Sequence, residues 1–333
     1  MLVAGFQPSG DGRLHVGNYF GSVKPLIQAV ESSGNAAPYQ VIIADIHATT
    51  TQHSPAVYAA SGVCAKEVSL CLKTLRPQSD HAIHRQGAIL EHYELGLIMQ
   101  HLAHMGDLER MTQFRSKSEG RSSVDVSLFT YPTLMAADIA LMRASQVMAG
   151  RDQTQHINLA RHLIKRFTKC YGHALRDFKP LNDPEVLSRN TTIMSLTAPD
   201  RKMSKSDPKG ALYLSDSVDV VAKKINAAVT GSNRHISSEI AENEIGTRAL
   251  LSLLANYRNQ SVVECADYMA GYGMAELKDH IIEEHLDLFA DIRNLKDAER
   301  TPDADDFLEA GNDRARLIAA ETMRDVRARM RGM

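Results

Sequence analysis

Tyr39-Gln40-Val41-Ile42-Ile43-Ala44 is a continuous, mostly apolar run rich in β-branched residues, the pattern of a parallel strand buried on both faces. A helix is predicted to follow, with Ser54 as its cap and Pro55 in its first position. Its Val57, Ala60, Cys64, Val68, Cys71 and Leu75 recur every three or four positions on one face. Further along, the sequence reads as a short strand around His81 to His84, a helix from about Glu91, and a helix from Pro132 to about Met142. A strand at Gln146 to Ala149 then runs through Gly150-Arg151-Asp152 into a long helix ending near Cys170. Strands alternating with helices predict a parallel sheet with right-handed crossovers, an α/β doubly wound domain.

Beyond residue 180 the pattern changes. A Pro/Asn/Asp connector (Pro180 to Pro184) leads into a loop, Arg201 to Asp207, and from Val218 onward the chain reads as almost wholly helical. It ends in an arginine-rich stretch: Arg314, Arg316, Arg324, Arg327, Arg329 and Arg331. A second, smaller, all-helical domain is therefore expected. No internal repeat or low-complexity tract interrupts this layout.

Composition sets the class. The 333 residues carry 38 Lys+Arg against 40 Asp+Glu, and 44% are hydrophobic, which excludes a mostly disordered chain and leaves room for two domains. No apolar stretch is long enough to span a bilayer. Met1 to Phe6 carry no basic region or small-residue cleavage site, so no signal peptide is expected. The 4 cysteines, Cys64, Cys71, Cys170 and Cys265, form no C-x-x-C pair and no zinc spacing, and read as reduced thiols of a cytoplasmic protein. A net charge of −2 argues against general nucleic-acid coating, DNA included, but allows a local basic patch.

Two stretches carry chemistry. Gln7-Pro8-Ser9-Gly10, followed by Leu14-His15-Val16-Gly17-Asn18, stands where the first strand should turn into the first helix, the crevice where doubly wound sheets bind nucleotides. Glycines at 10, 12 and 17 let backbone approach a ligand, and a helix start with a nearby imidazole donor suits phosphate. Alone, the stretch reads equally well as a Gly-rich turn with a surface histidine. Lys202-Met203-Ser204-Lys205-Ser206 interleaves two lysines with two serines, a set able to neutralise a leaving pyrophosphate. Alone, it reads as a solvated basic loop. His81, His84, His101 and His104 offer paired histidines, but the absence of thiolates or a carboxylate pattern argues against a metal site, and none is assigned.

Together, the His-x-Gly-Asn turn and the Lys-Met-Ser-Lys-Ser loop resemble the double signature of class I aminoacyl-tRNA synthetases. Over nearly the whole chain the resemblance is to the bacterial tryptophanyl branch. It is carried by Gln7-Pro8-Ser9-Gly10, Leu108-Glu109-Arg110-Met111-Thr112-Gln113-Phe114, Tyr131-Pro132-Thr133-Leu134-Met135-Ala136-Ala137-Asp138-Ile139, Asp152-Gln153-Thr154-Gln155-His156 and Ile193-Met194-Ser195-Leu196. The resemblance implies a Rossmann-like catalytic domain over residues 1–195 with a dimerisation segment, a mobile loop over 196–210, and a helical tRNA anticodon-binding domain over 211–333. The implied reaction joins L-tryptophan to tRNA(Trp) with ATP, Mg²⁺ arriving with the nucleotide, in a cytoplasmic homodimer.

Tyr131, Met135 and Asp138 fall on one helix face, giving an apolar slot with a single strong acceptor, which suits an indole and its one N–H. The resemblance implies that Asp138 takes that N–H, with Tyr131, Met135, His47 and Gln153 around the ligand. It implies an ATP site lined by Gln7, Pro8, Ser9, Gly17, Asn18, Gly150, Arg151, Asp152 and Ile193, with Lys202, Met203, Ser204, Lys205 and Ser206 closing on the phosphates. Lys117 and His15 join Lys202 and Lys205 as the catalytic set. The sequence departs from the family at three positions: Arg151 replaces an acidic residue, Val3 an aromatic near the amino-acid pocket, and Ala149 a valine. The loop from Gly10 to Gly17 is also slightly longer. A tyrosyl-tRNA synthetase shares both motifs, and a catalytically weak paralogue that binds tRNA or tryptophan for regulation is the reading from another class. The segment from Tyr131 to Asp138 argues against the first, and the intact lysines against the second.

Overall fold

The structure is a computed structural model that describes residues 1–32, 38–50, 53–72, 83–120, 122–150, 153–180, 192–231, 235–237, 243–295 and 304–332. Its strands are β1 (Leu2–Phe6), β2 (Tyr39–Ile43), β3 (Ile83–Arg85), β4 (Gln146–Met148) and β5 (Lys179–Pro180). The principal helices are α1 (Lys24–Ser32), α2 (Ala56–Cys71), α3 (Glu91–Leu102), α4 (Val126–Leu141) and α5 (Thr154–Tyr171). After these come α6 (Val218–Asn226), α7 (Ile245–Arg258), α8 (Val262–Tyr268), α9 (Met274–Leu288) and α10 (Ala304–Met330).

Two compact units result, one of Met1–Gly12, Val30–Asn182 and Thr301–Met333, the other of Arg13–Ala29 and Asp183–Arg300. The first holds a wholly parallel five-stranded sheet in the order β3-β2-β1-β4-β5. The doubly wound expectation is met. Strand order reverses between β1 and β4, whose carboxyl ends run into Gln7-Pro8-Ser9 and Ala149-Gly150, the switch point at which such sheets bind ligands. Gly12 has φ +88°, and a Cβ there would lie 2.2 Å from the Ala60 carbonyl oxygen of α2. Its glycine therefore serves close backbone packing, not only ligand approach.

The expected boundaries at residues 195 and 211 do not coincide with these units. Ala315, Ala319, Met323 and Val326 of α10 recur on one face and lie in one buried cluster with Val3, Ile42, Leu95, Leu141 and Phe167. An apolar stripe on a long helix needs an apolar partner, and α10 finds it in the α/β unit. Polar bonds fix the register: Thr322 Oγ1 donates to Leu141 O at 2.9 Å and Arg143 reaches Asp325 at 2.7 Å and Glu321 at 3.0 Å. Arg327 pairs with Glu94, and Arg316 with Asp313.

One local expectation is corrected. The helix expected to begin at Pro132 starts at Val126, with Pro132 inside α4. The lost backbone donor is outweighed by burial, since α4 is buried at Pro132, Thr133 and throughout Ala136–Leu141. Val3 lies in the buried core cluster against which Met135 also packs.

In the second unit the first helical stretch leaves the sheet. Val16 N donates to Leu212 O and Leu214 N to Leu14 O, both at 2.9 Å. Tyr19, Phe20, Tyr257 and Phe289 meet edge-to-face, with centroids 5.1 Å (Tyr19–Phe20), 4.9 Å (Tyr19–Phe289) and 5.1 Å (Phe20–Tyr257) apart. These aromatic contacts tie the segment after the glycine turn to α7 and the end of α9.

Candidate active site

In the first unit Gln86, His47 and His92 gather around one carboxylate. Asp138 is 6% exposed. Gln86 Nε2 donates to both its oxygens, at 2.8 and 2.9 Å. His47 Nε2 lies 2.8 Å from Oδ2, and His92 Nδ1 lies 2.7 Å from Oδ1. Burial pushes a carboxyl up, but His92 beside it and the bonds from His47 and His92 outweigh this and hold Asp138 well below the usual carboxylate range. Asp138 is thus ionised and able only to accept. Gln86 is oriented in turn by the His47 backbone N–H, which donates to its Oε1 at 3.3 Å.

Tyr131 stands edge-on to His47, with ring centroids 6.2 Å apart, and its hydroxyl lies 2.7 Å from His156 Nε2. Lys117 is exposed, with Nζ 5.8 Å from the Tyr131 ring centre. Met135 packs half-buried against the core. Gln7 Nε2 donates to His47 O at 3.2 Å, with Pro8 buried and Ser9 half-buried beside it. Gln153 caps α5, and its N–H donates to Gly150 O at 2.9 Å. Thr112 N and Oγ1 lie 2.9 and 3.0 Å from Gln155 Oε1, which joins two of the motifs. The expectations for Arg151 and Asp152 lie outside the described residues.

The second unit gathers the phosphate-binding candidates. His15 is buried, its backbone bridged to Tyr213, and its N–H donates to Asn18 Oδ1 at 3.1 Å. Burial, then Lys205 and Lys202, push its imidazole down to about 4, so it is neutral at pH 7. Gly17 lies against the same ring, where a Cβ would come within 2.9 Å. Ile193 and Met203 are buried and joined by Met203 N to Ile193 O at 2.9 Å, and Met194 bridges Lys202. This seating leaves Lys202, Ser204 and Ser206 exposed and Lys205 half-buried. Asp207 anchors the loop, accepting from Thr197 Oγ1 at 2.8 Å, Ser195 Oγ at 3.0 Å and Gly210 N at 3.1 Å.

Sequence reasoning missed Gln86, His92 and His156, and behind them Gln40 and His84. One signal was present: Gln40 interrupts an apolar strand, and a polar side chain buried there must find a partner.

The chain matches the family described as tRNA synthetases class I (W and Y) over residues 1–289. It is 33% identical to the tryptophan–tRNA ligase of Caldanaerobacter subterraneus subsp. tengcongensis, over 99% of this chain and 97% of that protein. Its fold is similar to that of tryptophanyl-tRNA synthetase from Mycoplasma pneumoniae, with TM-score 0.80, 28% identity, and 100% and 97% of the two chains covered. A second similar structure is tryptophanyl-tRNA synthetase from Campylobacter jejuni complexed with ADP and tryptophan, with TM-score 0.78, 25% identity, and 100% and 99% covered. With both signature segments and the Asp138 cluster in place, the chain belongs to the class I tRNA synthetases of the tryptophan and tyrosine family, on their tryptophan–tRNA ligase branch.

Proposed function

We propose that the chain activates L-tryptophan with ATP and transfers it to tRNA(Trp). The observation that carries this reading is the ionised, nearly buried Asp138, a lone strong acceptor beside Tyr131 and Met135. An indole offers one N–H on a flat apolar body, which suits it. Phenylalanine offers no donor and would forgo this bond, while Asp138 keeps its contacts from Gln86, His47 and His92.

The tryptophan carboxylate is ionised at neutral pH and needs no protein base. One of its oxygens bonds to the α-phosphorus as the bond to the β-phosphate bridging oxygen breaks, giving tryptophanyl-adenylate and pyrophosphate. Lys202, Lys205 and Lys117 neutralise charge gathering on the pyrophosphate, and neutral His15 donates one N–H to a phosphate oxygen. Gln7, Pro8, Ser9, Gly17, Asn18, Gly150, Arg151, Asp152 and Ile193 are assigned to the rest of the nucleotide, a reading supported by the ADP in the Campylobacter jejuni relative. A terminal ribose hydroxyl of tRNA then attacks the acyl carbon and releases AMP. Among the described residues no group of three or more His, Cys, Asp or Glu is placed to hold a metal, and Mg²⁺ is assigned to the nucleotide as its substrate salt.

Helices α6 to α9 are assigned to tRNA. The exposed apolar side chains Leu90, Tyr93, Leu97, Met105 and Val126 support a homodimer through this part of the first unit. Among the described residues no helix is long and apolar enough to cross a membrane, and a cytoplasmic location follows from the proposed reaction. Amino-acid-dependent pyrophosphate–ATP exchange tests the reading: tryptophan should support exchange far above tyrosine and phenylalanine. Exchange led by tyrosine, or none with tryptophan, would overturn it.

A further inference from the structure

Behind Asp138 lies a file of buried polar side chains that the proposed reaction does not use. Gln40 on β2, His84 on β3 and His92 on α3 are each 0% exposed. Gln40 Nε2 lies 2.7 Å from His84 Nδ1, and His84 Nε2 lies 3.3 Å from His92 Nε2. His92 Nδ1 completes the file 2.7 Å from Asp138 Oδ1. The two imidazole rings are nearly parallel, 18° apart, with centroids separated by 5.6 Å.

Proton counting orders this file. A neutral imidazole has one donor and one acceptor nitrogen. Burial, with His92 alongside, holds His84 well below its usual value and therefore neutral. An ionised Asp138 can only accept, so His92 must carry a proton on Nδ1, and a neutral His92 would then present a bare Nε2. His84 then carries its proton on Nε2, and its bare Nδ1 accepts from the Gln40 amide. Every donor then points toward Asp138; the Gln40 Oε1 at the far end has no hydrogen-bond partner, and the contact of His92 Nδ1 with Asp138 Oδ1 at the near end is short but poorly aligned. A buried orphan oxygen is costly, and here it accompanies an amide turned so that its N–H₂ faces His84.

We infer that Gln40, His84 and His92 are positioning residues for amino-acid specificity, a one-way hydrogen-bond relay that keeps Asp138 an oriented acceptor. The inference rests on the reading of Asp138 as the indole acceptor. Gln86 grips both carboxylate oxygens, so rotation of the carboxylate is opposed at Oδ1 by His92 and at Oδ2 by His47. None of the three relay residues touches the substrate in this assignment. Their effect reaches it through one carboxylate.

Substitution and spectroscopy test this separately. His92→Leu removes the donor to Oδ1 and should raise KM for tryptophan about tenfold or more, with kcat at saturating tryptophan and KM for ATP changed less than twofold. His92→Asn returns a donor near the position of Nδ1 and should recover most of the loss. His84→Phe keeps the ring and its volume but frees the His92 Nε2, and should raise KM for tryptophan severalfold. Two-bond ¹⁵N–¹H spectra of the histidine-labelled protein, assigned with these variants, should show His84 as the Nε2–H tautomer and His92 as Nδ1–H in the wild type, and mixed His92 tautomers in His84→Phe. A wild-type His92 in the Nε2–H form would overturn the relay. So would parallel falls in kcat and rises in both KM values, or His92→Asn as impaired as His92→Leu. The spectra need no substrate, so they judge the relay even if tryptophan-dependent exchange were absent and the proposed reaction fell.

Discussion

The Asp138 cluster and the Lys202–Ser206 loop are built on opposite principles. Around Asp138 one side chain receives contacts from Gln86, His47 and His92, all buried or nearly so. In the loop, Met203 is the buried anchor, Lys202, Ser204 and Ser206 face solvent, and Asp207 clamps the base. The first arrangement suits ground-state recognition, where orientation must be paid for in advance by folding. The second suits charge that develops only as pyrophosphate departs, met by cations carried on a largely solvent-facing loop.

This contrast predicts distinct kinetic signatures. The largest effect is expected at Lys202→Ala or Lys205→Ala, which should lower the rate of adenylate formation by about 10²–10³-fold, as for loss of a transition-state donor. The tryptophan Kd should change little. Comparable losses in both, measured by single-turnover kinetics and equilibrium titration, would erase the distinction between the two regions. Asp138→Ala should lower kcat/KM for tryptophan by about 1.5–3 kcal/mol, with smaller discrimination against phenylalanine. A kcat/KM within twofold of wild type would show that the cluster is structural only.

His15 links burial to the lysines, and the consequence is a pH dependence of stability. Burial and the nearby lysines hold its imidazole at about 4 in the folded chain, down from an ordinary 6.5, so below pH 6.5 the unfolded chain binds a proton that the folded chain refuses. The stabilisation is fully present above pH 6.5 and is lost as pH falls toward 4. By pH 5 the loss is about 2 kcal/mol. His15→Gln should flatten the stability curve over this window by about that amount, read from urea midpoints at pH 7 and pH 5. An unchanged difference between the two pH values would mean that the burial of His15 is relieved in solution. The smallest effect is expected at Arg151→Glu, which should leave KM for ATP unchanged or slightly lower, with little salt dependence. A severalfold rise that grew at low ionic strength would show Arg151 acting on phosphate alongside the lysines.

Some of this architecture was legible before any coordinates. The apolar run at Tyr39–Ala44 and the helical spacing from Val57 to Cys64 lead to β2 and α2 as observed, because local periodicity reports which side of an element is buried. His47 and Asp138, placed together by the resemblance, lie 2.8 Å apart. The partners of Asp138 were not legible. Gln86 and His92 sit in no motif, and His84 had drawn notice only as half of a spacing that suggests metal. The start of α4 was missed because Pro132 reads locally as a helix beginning, and only the burial of its surroundings keeps it inside.

The chain by itself determined the alternation of strands and helices, the two signature segments, and the family they announce, since these depend on neighbours within a few residues or on an ordered set of short motifs. Tertiary structure alone decided that the helix after the glycine turn serves the second unit, that α10 returns to the core of the first, and that Gln40, His84 and His92 line up behind Asp138. The physical reason is common to all three. An apolar stripe, an aromatic face or a buried polar group states only that it needs a partner; the partner lies far away in sequence, and only the folded chain brings it within reach.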